Sequence, residues 1–318
     1  MHETVDSIPP LPPRPVGGHK GTFGRVGVVG GSAQADPRMV GAPALAAIGA
    51  VRAGCGLVKI AAPGPILDAV LTLAPFATGL ALPTDAGGGL TSPGSAERFD
   101  EMAAQSDALV VGPGLGRSDG ARAMVLRAVL QEDAPAVLDA DGLNLLCAVP
   151  EFWRDIRAGL VLTPHPGEAG RLMESLSIRG DPAGSEDQRV DACVSIARRL
   201  GCVVVLKGAG TVVSDGLRAW TCRSGHPCLG TGGTGDVLAG VIGGLVAGLV
   251  AGLSAGPRAG LAPAAAGWDL FGRVQAAVQA HAAAGEAWAR ANDASGGMAP
   301  GDLAGLIPAQ IERLRGRA

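Results

Sequence analysis

The most restrictive feature of this sequence is the regular alternation of short apolar runs with helical stretches. Six runs have the length and composition of buried strands, and each is followed by a turn rich in Gly, Pro or Asp and then by an apolar or amphipathic helix. This alternation predicts an α/β fold with a largely parallel sheet and helices on both of its faces. The predicted strands are Arg25 to Gly30, Leu57 to Ala61, Ala108 to Gly112, Ala136 to Asp139, Leu160 to Thr163 and Val203 to Lys207.

One helix can be bounded from its own residues. Ser185 and Gln188 form the signature of a capping box, and Gly201 is a typical helix stop. We therefore expect a helix between Ser185 and Gly201, followed at once by the strand that begins near Cys202. The apolar residues that recur at helical spacing in this segment are Val190, Cys193, Val194, Ala197 and Leu200.

Composition excludes several classes of protein. The chain of 318 residues is 47% hydrophobic and 17% charged, so it can bury a large core in one or two domains. Its net charge of -3 and its scattered Lys and Arg residues predict no binding to nucleic acid. The N-terminus lacks the pattern of a secretion signal, and the apolar helix after Asp236 is expected to be buried rather than to cross a membrane. We therefore expect a cytoplasmic enzyme.

Polar or glycine-rich segments follow the predicted strands. Ligands of a parallel sheet bind at the carboxyl ends of its strands, so these segments are expected to converge on one crevice. Each alone has a structural explanation as a turn, a helix cap or a solvated charge, but their joint placement favours a functional site. The segments are GPGLG at 112–116, Asp139 with Asp141, His165 with Glu168, and KGAGT at 207–211.

The stretch GTGGTGDVLAGVIGGL at 230–245 carries the strongest signal of chemistry. Its glycines at 230, 232, 233 and 235 let an anion approach the backbone, and the following helix turns its first N–H groups to the same point. Asp236 stands at the edge of this anion hole, where a carboxylate can orient or deprotonate a hydroxyl that attacks phosphorus. The stretch therefore predicts phosphoryl transfer. The alternative is that Thr234 and Asp236 only cap a helix.

The six cysteines lie in or beside apolar segments without a CxxC pair, which predicts reduced thiols. Cys222, His226 and Cys228 lie close together in sequence but have no evident fourth ligand, so ordinary loop residues are favoured over a zinc site.

Two low-complexity segments are assigned no chemistry. The Pro-rich stretch at 8–18 predicts an extended surface arm, and we divide the chain into an arm at 1–18 and a single domain at 19–318. The Ala/Gly/Pro-rich stretch at 254–267 interrupts helical sequence and predicts an inserted loop.

Seven segments occur in a fixed order along the chain: HKGTFGRVGVVGGS (19–32), GAPALAAIGAVRAGCGLV (41–58), GPGLG (112–116), LDADGLNLL (138–146), LTPHPGE (162–168), LKGAGT (206–211) and GTGGTGDVLAG (230–240). In this order they resemble the ADP- or ATP-dependent NAD(P)H-hydrate dehydratase family. The resemblance covers about residues 19 to 308, and a co-linear set of motifs is far more specific than any one of them.

The resemblance implies a ribokinase-like α/β fold and a repair reaction. Members of this family restore NADH or NADPH that has taken up water across a double bond of the nicotinamide ring, and they act on the S-form of the hydrate. They use a phosphoanhydride of ADP or ATP to drive the dehydration. Bacterial members generally use ADP and release AMP and phosphate, whereas eukaryotic members use ATP.

The resemblance also assigns residues to the site. It implies that Asp236 is the catalytic group and contacts the hydrate. It further implies a set of hydrate-binding residues, Ala42, Gly114, Gly116 and His165, and an anion hole formed by Gly232, Gly233 and Gly235. The implied nucleotide-binding residues are Lys207, Gly208, Ala209, Gly210 and Thr211, together with Gly235.

The implied cofactor is Mg²⁺, which Glu168 is expected to hold through water, while Asp139 and Asp141 are given a supporting role. The family commonly forms homotetramers, so we expect one here. Many relatives carry an N-terminal epimerase domain, and we expect a separate NAD(P)H-hydrate epimerase to cooperate with this chain.

The sequence departs from the family pattern at two places. The usual GNPGMATGGTGD reads GHPCLGTGGTGD, so His226 and Cys228 replace Asn and Gly before the anion hole. The usual HGxAG reads HAAAG at 281–285, so the helix that carries His281 is expected to pack differently.

A small-molecule kinase of the same superfamily is the alternative function, with hydroxymethylpyrimidine, hydroxyethylthiazole and pyridoxal kinases as examples. Asp236 argues against the thiamine-pathway kinases, which usually carry Cys there, and His165 argues against the pyrimidine kinases, which have Asn. A catalytically silent nucleotide-binding protein is disfavoured by Asp236 and Lys207. A Rossmann dehydrogenase is disfavoured because the first strand is not followed by both GxGxxG and an acidic ribose-binding residue.

Overall fold

The computed structural model describes residues 2–253 and 269–316, so the insertion expected at 254–267 lies outside the described residues. The described strands are β1 (Glu3–Thr4), β2 (Arg25–Val29), β3 (Leu57–Pro63), β4 (Thr78–Leu82), β5 (Ala108–Val111), β6 (Ala136–Leu138), β7 (Leu160–Leu162), β8 (Val203–Leu206), β9 (Val212–Ser214) and β10 (Arg218–Thr221). The described helices are α1 (Gly41–Arg52), α2 (Gly64–Leu73), α3 (Ser92–Ala103), α4 (Asp119–Leu130), α5 (Asp141–Cys147), α6 (Pro166–Ser175), α7 (Glu186–Leu200), α8 (Thr234–Leu253), α9 (Leu270–Asn292) and α10 (Pro300–Leu314).

All described strands join one sheet in the order β1-β10-β9-β8-β7-β6-β5-β2-β3-β4. Pairing is parallel from β8 through β4 and between β1 and β10, whereas β9 runs antiparallel to both of its neighbours. The fold prediction of a largely parallel sheet is therefore confirmed. The one antiparallel strand that the structure describes, β9, lies next to β8, on the side of the sheet away from the other strands that carry the predicted site.

Helices cover both faces of the sheet because the central strands are apolar on both sides. In β5, Val110 packs into the core under α1, α2, α8, α9 and α10, while Leu109 and Val111 pack into the core under α3 to α7. All six predicted strands are present, most of them ending one residue before the predicted boundary. Near-continuous apolar runs were thus correctly interpreted as strands buried on both faces.

Four strands have no counterpart among the predictions. The segment of β4 is exposed along most of its length, so it shows no apolar run. Of the other three, β1 contains only two residues, both polar, while β9 and β10 follow β8 without an intervening helix and so lie outside the alternation that located the six predicted strands.

Helix α7 begins and ends as its sequence predicts. The Ser185 hydroxyl accepts from the Gln188 N–H, and the Gln188 side chain accepts from the Ser185 N–H, which completes the capping box. Gly201 follows the last turn with φ 63°. This confirms the helix and fixes where β8 starts.

Helix α8 packs between the sheet, α1 and α9, and it meets α1 at backbone contact distance. A Cβ added to Gly240 would lie 1.9 Å from the Ala46 carbonyl oxygen, and one added to Gly49 would lie 2.3 Å from that of Val237. By length and composition α8 could cross a membrane, but 67% of its most apolar window is buried inside the protein, as in a core helix. This close packing holds the first turn of α8 against the sheet.

The Pro-rich arm is attached to the folded body rather than free. Leu11 is buried, and its N–H donates to the Leu314 carbonyl oxygen at the end of α10. Arg315 donates to the Pro12 carbonyl oxygen, and the Arg14 guanidinium stacks on Phe23. With β1 paired to β10, residues 2–18 therefore extend the domain, and the division of the chain at residue 18 stays a prediction.

Candidate active site

The loops after five neighbouring strands, β8, β7, β6, β5 and β2, lie side by side at one edge of the sheet. The carboxyl ends of parallel strands form the usual ligand crevice of such folds. The polar segments predicted after β5, β6, β7 and β8 therefore share one edge, and α8 begins beside them.

The predicted anion hole forms the start of α8. Gly233 adopts φ +95°, which glycine tolerates readily, and the Thr234 hydroxyl lies 2.8 Å from the Leu229 carbonyl oxygen and 2.9 Å from that of Thr231. The Thr234 hydroxyl thus donates to the loop and shapes it, whereas a helix cap would accept from an N–H of the helix, so the capping alternative stays a prediction. This role coexists with an open helix terminus.

Two amides of the first turn of α8 are available to a ligand. The Thr234 N–H donates within the loop and the Val237 N–H donates to the Gly233 carbonyl oxygen, whereas within the described chain the N–H groups of Gly235 and Asp236 bond to no protein atom. The space above them is open, since a Cβ on Gly235 would meet only Lys207 Nζ, at 3.7 Å. An anion can therefore approach both amides and the positive end of the helix dipole. Gly232 is exposed and faces open space as well.

Lys207 carries the cation of the site. Its Nζ lies 2.6 Å from Asp139 Oδ1 and 4.0 Å from Glu168 Oε2, and Asp139 also accepts from the Thr163 hydroxyl. Burial lowers the pKa of Lys207, but Asp139 and Glu168 raise it above its usual value, so the ammonium stays charged. The structure therefore places this side chain beside the anion hole, while its backbone begins the predicted nucleotide loop.

Asp236 is poised to exchange a proton near neutral pH. Burial and the neighbouring Asp139 raise the pKa of Asp236 to about 7, although Lys207 opposes the shift. A carboxyl group with this pKa is present in both protonation states at neutral pH, which is the condition for an effective general base. The sequence predicted the residue; its titration follows from burial and from a residue almost one hundred positions away.

Glu168 and His165 hold the start of α6. Glu168 Oε2 accepts from the His165 N–H at 2.8 Å, and His165 Nδ1 accepts from the Gly167 N–H at 3.0 Å. The Nε2 atom of His165 lies 3.5 Å from Glu168 Oε1, and about half of the imidazole is exposed. His165 can thus face a ligand with an Nε2–H while it caps the helix.

The residues fit Mg²⁺ only as a partner of bound phosphates. Among the described residues no group of three His, Cys, Asp or Glu side chains could hold a metal ion, and Glu168 is already bonded to the His165 N–H. One cation, Lys207, faces the carboxyl groups of Asp139, Glu168 and Asp236, so the pocket has room for more positive charge. Mg²⁺ characteristically binds one or two carboxylates plus phosphate oxygens and waters.

The glycine loop after β5 meets the start of α1. A Cβ on Gly114 would lie 3.1 Å from the Ala42 methyl group, and a Cβ on Gly233 would lie 2.7 Å from Leu45, one turn further along α1. Two residues predicted to bind the hydrate are thus adjacent, and they border the anion hole. Gly116 donates its N–H to Asp141 Oδ2, so Asp141 holds the glycine loop in place.

Ala42 is 4% exposed, so it offers little surface in the free protein, and its contact with the hydrate stays a prediction. Its methyl group is packed under the glycine loop. A larger residue at this position would disturb packing as well as binding.

The predicted nucleotide loop at 207–211 is held by hydrogen bonds from a residue that has no signal in the sequence. Arg189 of α7 is buried, and its guanidinium lies 3.2 to 3.4 Å from the carbonyl oxygens of Leu206, Lys207 and Gly210. Gly208 has φ +140°, and a Cβ there would lie 3.0 Å from the Arg189 guanidinium. The exposed face of the loop, with Ala209, is left open. Arg189 and the loop are too far apart in sequence to be recognised as a unit.

The two segments that depart from the family pattern, the loop with Cys228 and HAAAG at 281–285, are in contact. Cys228 Sγ donates to the Gly285 carbonyl oxygen, and His281 Nε2 lies 2.9 Å from the Thr234 carbonyl oxygen. Burial lowers the pKa of His281 to about 4, so the ring is neutral and its Nε2–H donates. Helix α9 thereby positions the first residue of α8. Among the described residues, Cys222, His226 and Cys228 do not form a metal site.

Comparison with known proteins identifies relatives. A family model described as NAD(P)H-hydrate dehydratase matches residues 26–309. The chain is 40% identical to "Bifunctional NAD(P)H-hydrate repair enzyme Nnr" of Thermanaerovibrio acidaminovorans over 71% of its length and 42% of that protein. It is 38% identical to the protein of the same name from Thermofilum pendens, over 76% of its length and 44% of that protein. The chain thus spans about two fifths of the length of these curated relatives.

Solved structures give the same grouping. The ADP/ATP-dependent NAD(P)H-hydrate dehydratase of Bacillus subtilis, co-crystallised with ATP and Mg²⁺, superposes with a TM-score of 0.73 at 26% identity, covering 98% of this chain and 100% of that chain. A hydroxyethylthiazole kinase from Pyrococcus horikoshii superposes with a TM-score of 0.54 at 17% identity, which shows a shared fold alone. The ribokinase-like fold prediction is therefore confirmed.

Proposed function

This chain belongs to the NAD(P)H-hydrate dehydratase family, and from this premise we propose that it dehydrates the S-form of hydrated NADH or NADPH at the expense of ADP or ATP. The reaction restores NADH or NADPH and releases phosphate with AMP or ADP. One observation carries the proposal: a partly buried carboxyl group, Asp236, stands beside two available amides and a charged lysine, Lys207. These groups suit phosphoryl transfer to a hydroxyl.

In the first step the ring hydroxyl attacks the terminal phosphorus of the nucleotide. The new P–O bond forms as the phosphoanhydride P–O bond breaks, and AMP or ADP leaves with the electron pair. Asp236 accepts the hydroxyl proton, and the amides of Gly235 and Asp236 with the Lys207 ammonium stabilise charge on the phosphoryl oxygens. A positioned general base with preformed donors lowers the barrier without rearrangement of the site.

In the second step the phosphorylated hydrate loses phosphate. The lone pair of the ring nitrogen expels the phosphate, which departs with the C–O electron pair, and loss of a proton from the adjacent carbon restores the double bond. The anion hole can hold the departing phosphate, because it presents the same amides to the product as to the transferred group.

We infer that Mg²⁺ accompanies the nucleotide. Glu168 would hold it through water, and it would supply positive charge against the phosphates. The support is electrostatic: the site places a single cation, Lys207, against three carboxyl groups, so a nucleotide needs added positive charge to enter. The exposed loop of Gly208, Ala209, Gly210 and Thr211 would contact the AMP portion.

The decisive experiment mixes hydrated NADH or NADPH with ADP or ATP and follows both the absorbance of the reduced nicotinamide and free phosphate. Under the proposal, both signals appear together and in equal amounts. Phosphate that remains on an organic product without recovery of absorbance would instead identify the kinase alternative. Failure of every nucleotide to support either signal would identify a catalytically silent protein.

We further propose that a separate epimerase converts the R-form for this enzyme. With a mixture of epimers, recovery of absorbance should stop at the S-form share and resume when an epimerase is added.

We also propose a cytoplasmic homotetramer, for which the exposed apolar side chains of Leu73 and Phe76 offer surface to bury. Light scattering of the purified protein measures its mass directly, and fractionation of cells measures its location.

A further inference from the structure

The turn that follows β6 holds an alanine where the backbone geometry favours glycine. Ala140 has φ 50° and ψ −116°, and the Gly142 N–H donates to the Asp139 carbonyl oxygen at 2.9 Å. These values are typical of a type II′ β-turn over residues 139–142, with Ala140 at its second position. Glycine dominates that position, because a β-carbon there is strained against the backbone.

Ala140 differs from the other residues of positive φ in this chain. Glycine occupies most such positions among the described residues, and Ala140 is one of four exceptions. Two of the others, Glu151 and Asp293, lie in the left-handed helical region, which costs a residue with a side chain less. A chain with 51 glycines thus keeps an alanine at a position where glycine would avoid strain.

Packing against β5 fixes the geometry of this turn. A Cβ on Gly112 would lie 1.9 Å from the Asp139 carbonyl oxygen. A Cβ on Gly142 would lie 2.7 Å from the Val111 carbonyl oxygen. Because main-chain atoms of the turn and of the strand end are in contact, the turn cannot relax to accommodate a side chain, and the strain at residue 140 persists.

The turn directs the side chain of Ala140 toward the crevice. A residue at the tip of a sharp strand-to-helix turn projects its side chain beyond the end of the sheet. Ala140 is partly exposed and belongs to neither hydrophobic core. On one side of it, Asp139 accepts from Lys207 at 2.6 Å, and on the other, Asp141 accepts from the Gly116 N–H at 3.0 Å. The methyl group therefore lies between polar groups of the candidate active site.

The order of the strands indicates which ligand this methyl group meets. Strand β6 lies between β5 and β7. The loop after β5 carries Gly114 and Gly116, and the loop after β7 carries His165, all of which are predicted to bind the hydrate. The predicted nucleotide loop follows β8, on the far side of β7. Ala140 therefore lies on the hydrate side of the crevice.

We propose that the Ala140 methyl group is a further contact of the hydrate-binding site. The assignment rests on the proposed function, because that function supplies the ligand. Addition of water leaves saturated carbons in the nicotinamide ring, and a methyl group packs against them by dispersion and by exclusion of water. Glycine would give an unstrained turn without this contact. The contact thus gives a functional reason for a strained alanine.

The test compares Ala140→Gly with the wild type in thermal unfolding and in steady-state kinetics. Glycine relieves the turn, so Tm should rise by about 2 °C. Loss of the methyl contact should raise KM for the hydrate about fourfold, while kcat and KM for ADP stay within about twofold of the wild type. Ser177→Gly is the matched control, because Ser177 also has positive φ but is exposed beyond the end of α6, so KM for the hydrate should not change.

Ala140→Leu tests the direction of the side chain. Its added atoms would occupy the space of the hydrate, so KM for the hydrate should rise at least about tenfold. If this variant fails to fold, Ala140→Gly alone decides.

Three results with Ala140→Gly overturn the contact: an unchanged KM for the hydrate, a Tm below that of the wild type, or an equal rise of KM for ADP. The last would mean that the turn acts by holding Asp139 against Lys207. A wild type without turnover overturns the proposed function and the contact with it, so the two failures are distinguishable.

Discussion

At the scale of single residues, the protein keeps one carboxyl group near its point of half-ionisation. Asp236 is surrounded by the anion hole, Asp139 and Lys207, and burial is the main reason that its pKa lies at about 7. The same burial that prepares this residue for proton transfer costs stability when it ionises. Activity and stability therefore depend on pH in opposite directions at this position.

Asp236→Asn should lower kcat by at least ~100-fold while nucleotide affinity stays close to that of the wild type. Asparagine keeps the shape of the side chain but accepts no proton from the hydroxyl. Steady-state kinetics with calorimetry of ADP binding measure both quantities. A kcat near that of the wild type would leave Asp236 with only its place at the helix terminus.

The rate should also follow the ionisation of Asp236. The group must be deprotonated to accept the hydroxyl proton, so kcat/KM should rise with pH up to about 7 and level off above it. Initial rates across about pH 6 to pH 8 test this. A profile that is flat over this interval would contradict a base with this pKa.

Stability should show the opposite dependence. The folded-state pKa of Asp236, about 7, exceeds the ordinary value of 3.8, so the folded protein loses stability as pH rises from about 4 to about 7. Asp236→Asn removes this loss, and above pH 7 it should raise the free energy of unfolding by roughly 2 to 4 kcal/mol. Near pH 4 the two proteins should unfold alike. Urea unfolding at several pH values provides the comparison.

At the scale of elements, the sequence predicted what depends on local pattern. The strands β2, β3, β5, β6, β7 and β8 are short apolar runs that alternate with turns and helices, and α7 has local capping signals at both ends. β9 and β10 were missed because no helix separates them from β8 or from each other, β1 because it has two polar residues, and β4 because it is exposed. The glycine-rich loops of the site were found for the same local reason.

Arg189→Met should weaken nucleotide binding without a comparable loss of hydrate binding. Arg189 contacts two carbonyl oxygens of the predicted nucleotide loop, those of Lys207 and Gly210, and the buried one of Leu206, so its removal frees the loop and leaves these acceptors without that partner. KM for ADP or ATP should rise roughly tenfold, and KM for the hydrate should change much less.

The matched control for this variant is Arg198→Met. Arg198 lies on the same helix and also binds a carbonyl oxygen, that of Gly216, at the far end of the β9–β10 hairpin. Both variants lose a guanidinium of α7, but only Arg189 touches the loop. Equal changes of nucleotide KM in the two would show that Arg189 acts through the stability of α7 and not through the loop.

At the scale of the whole molecule, the arm and the C-terminal helix close the fold together. Leu11 is buried against the end of α10, so Leu11→Ala should lower the free energy of unfolding by about 2 to 3 kcal/mol and leave kcat unchanged. Val16→Ala, at a fully exposed position of the same arm, should have no effect on either quantity. Denaturant unfolding and steady-state rates measure both. Equal stability of the two variants would mean that the arm contributes little to the fold.

The parts of the site that sequence could not predict all depend on distant pairs. Lys207 meets Asp139 across 68 positions, and His281 meets Thr234 across 47. Neither pair has a local signature in the sequence, because the two residues of each pair come into contact only when the sheet has formed. For the same reason the burial of Ala42 could not be foreseen from its place at a helix start.

The contact between α1 and α8 bears on how variation in this protein should be interpreted. Side chains are excluded at Gly49 and Gly240 by main-chain atoms, which cannot move aside as a flexible side chain can. In a saturation-mutagenesis library selected only for soluble expression, we therefore expect no substitution to be tolerated at Gly49 or Gly240, whereas many should be tolerated at Asp236. Invariance alone would mark the helix contact more strongly than the carboxylate proposed to react, so a screen for catalytic positions here has to score turnover and abundance separately.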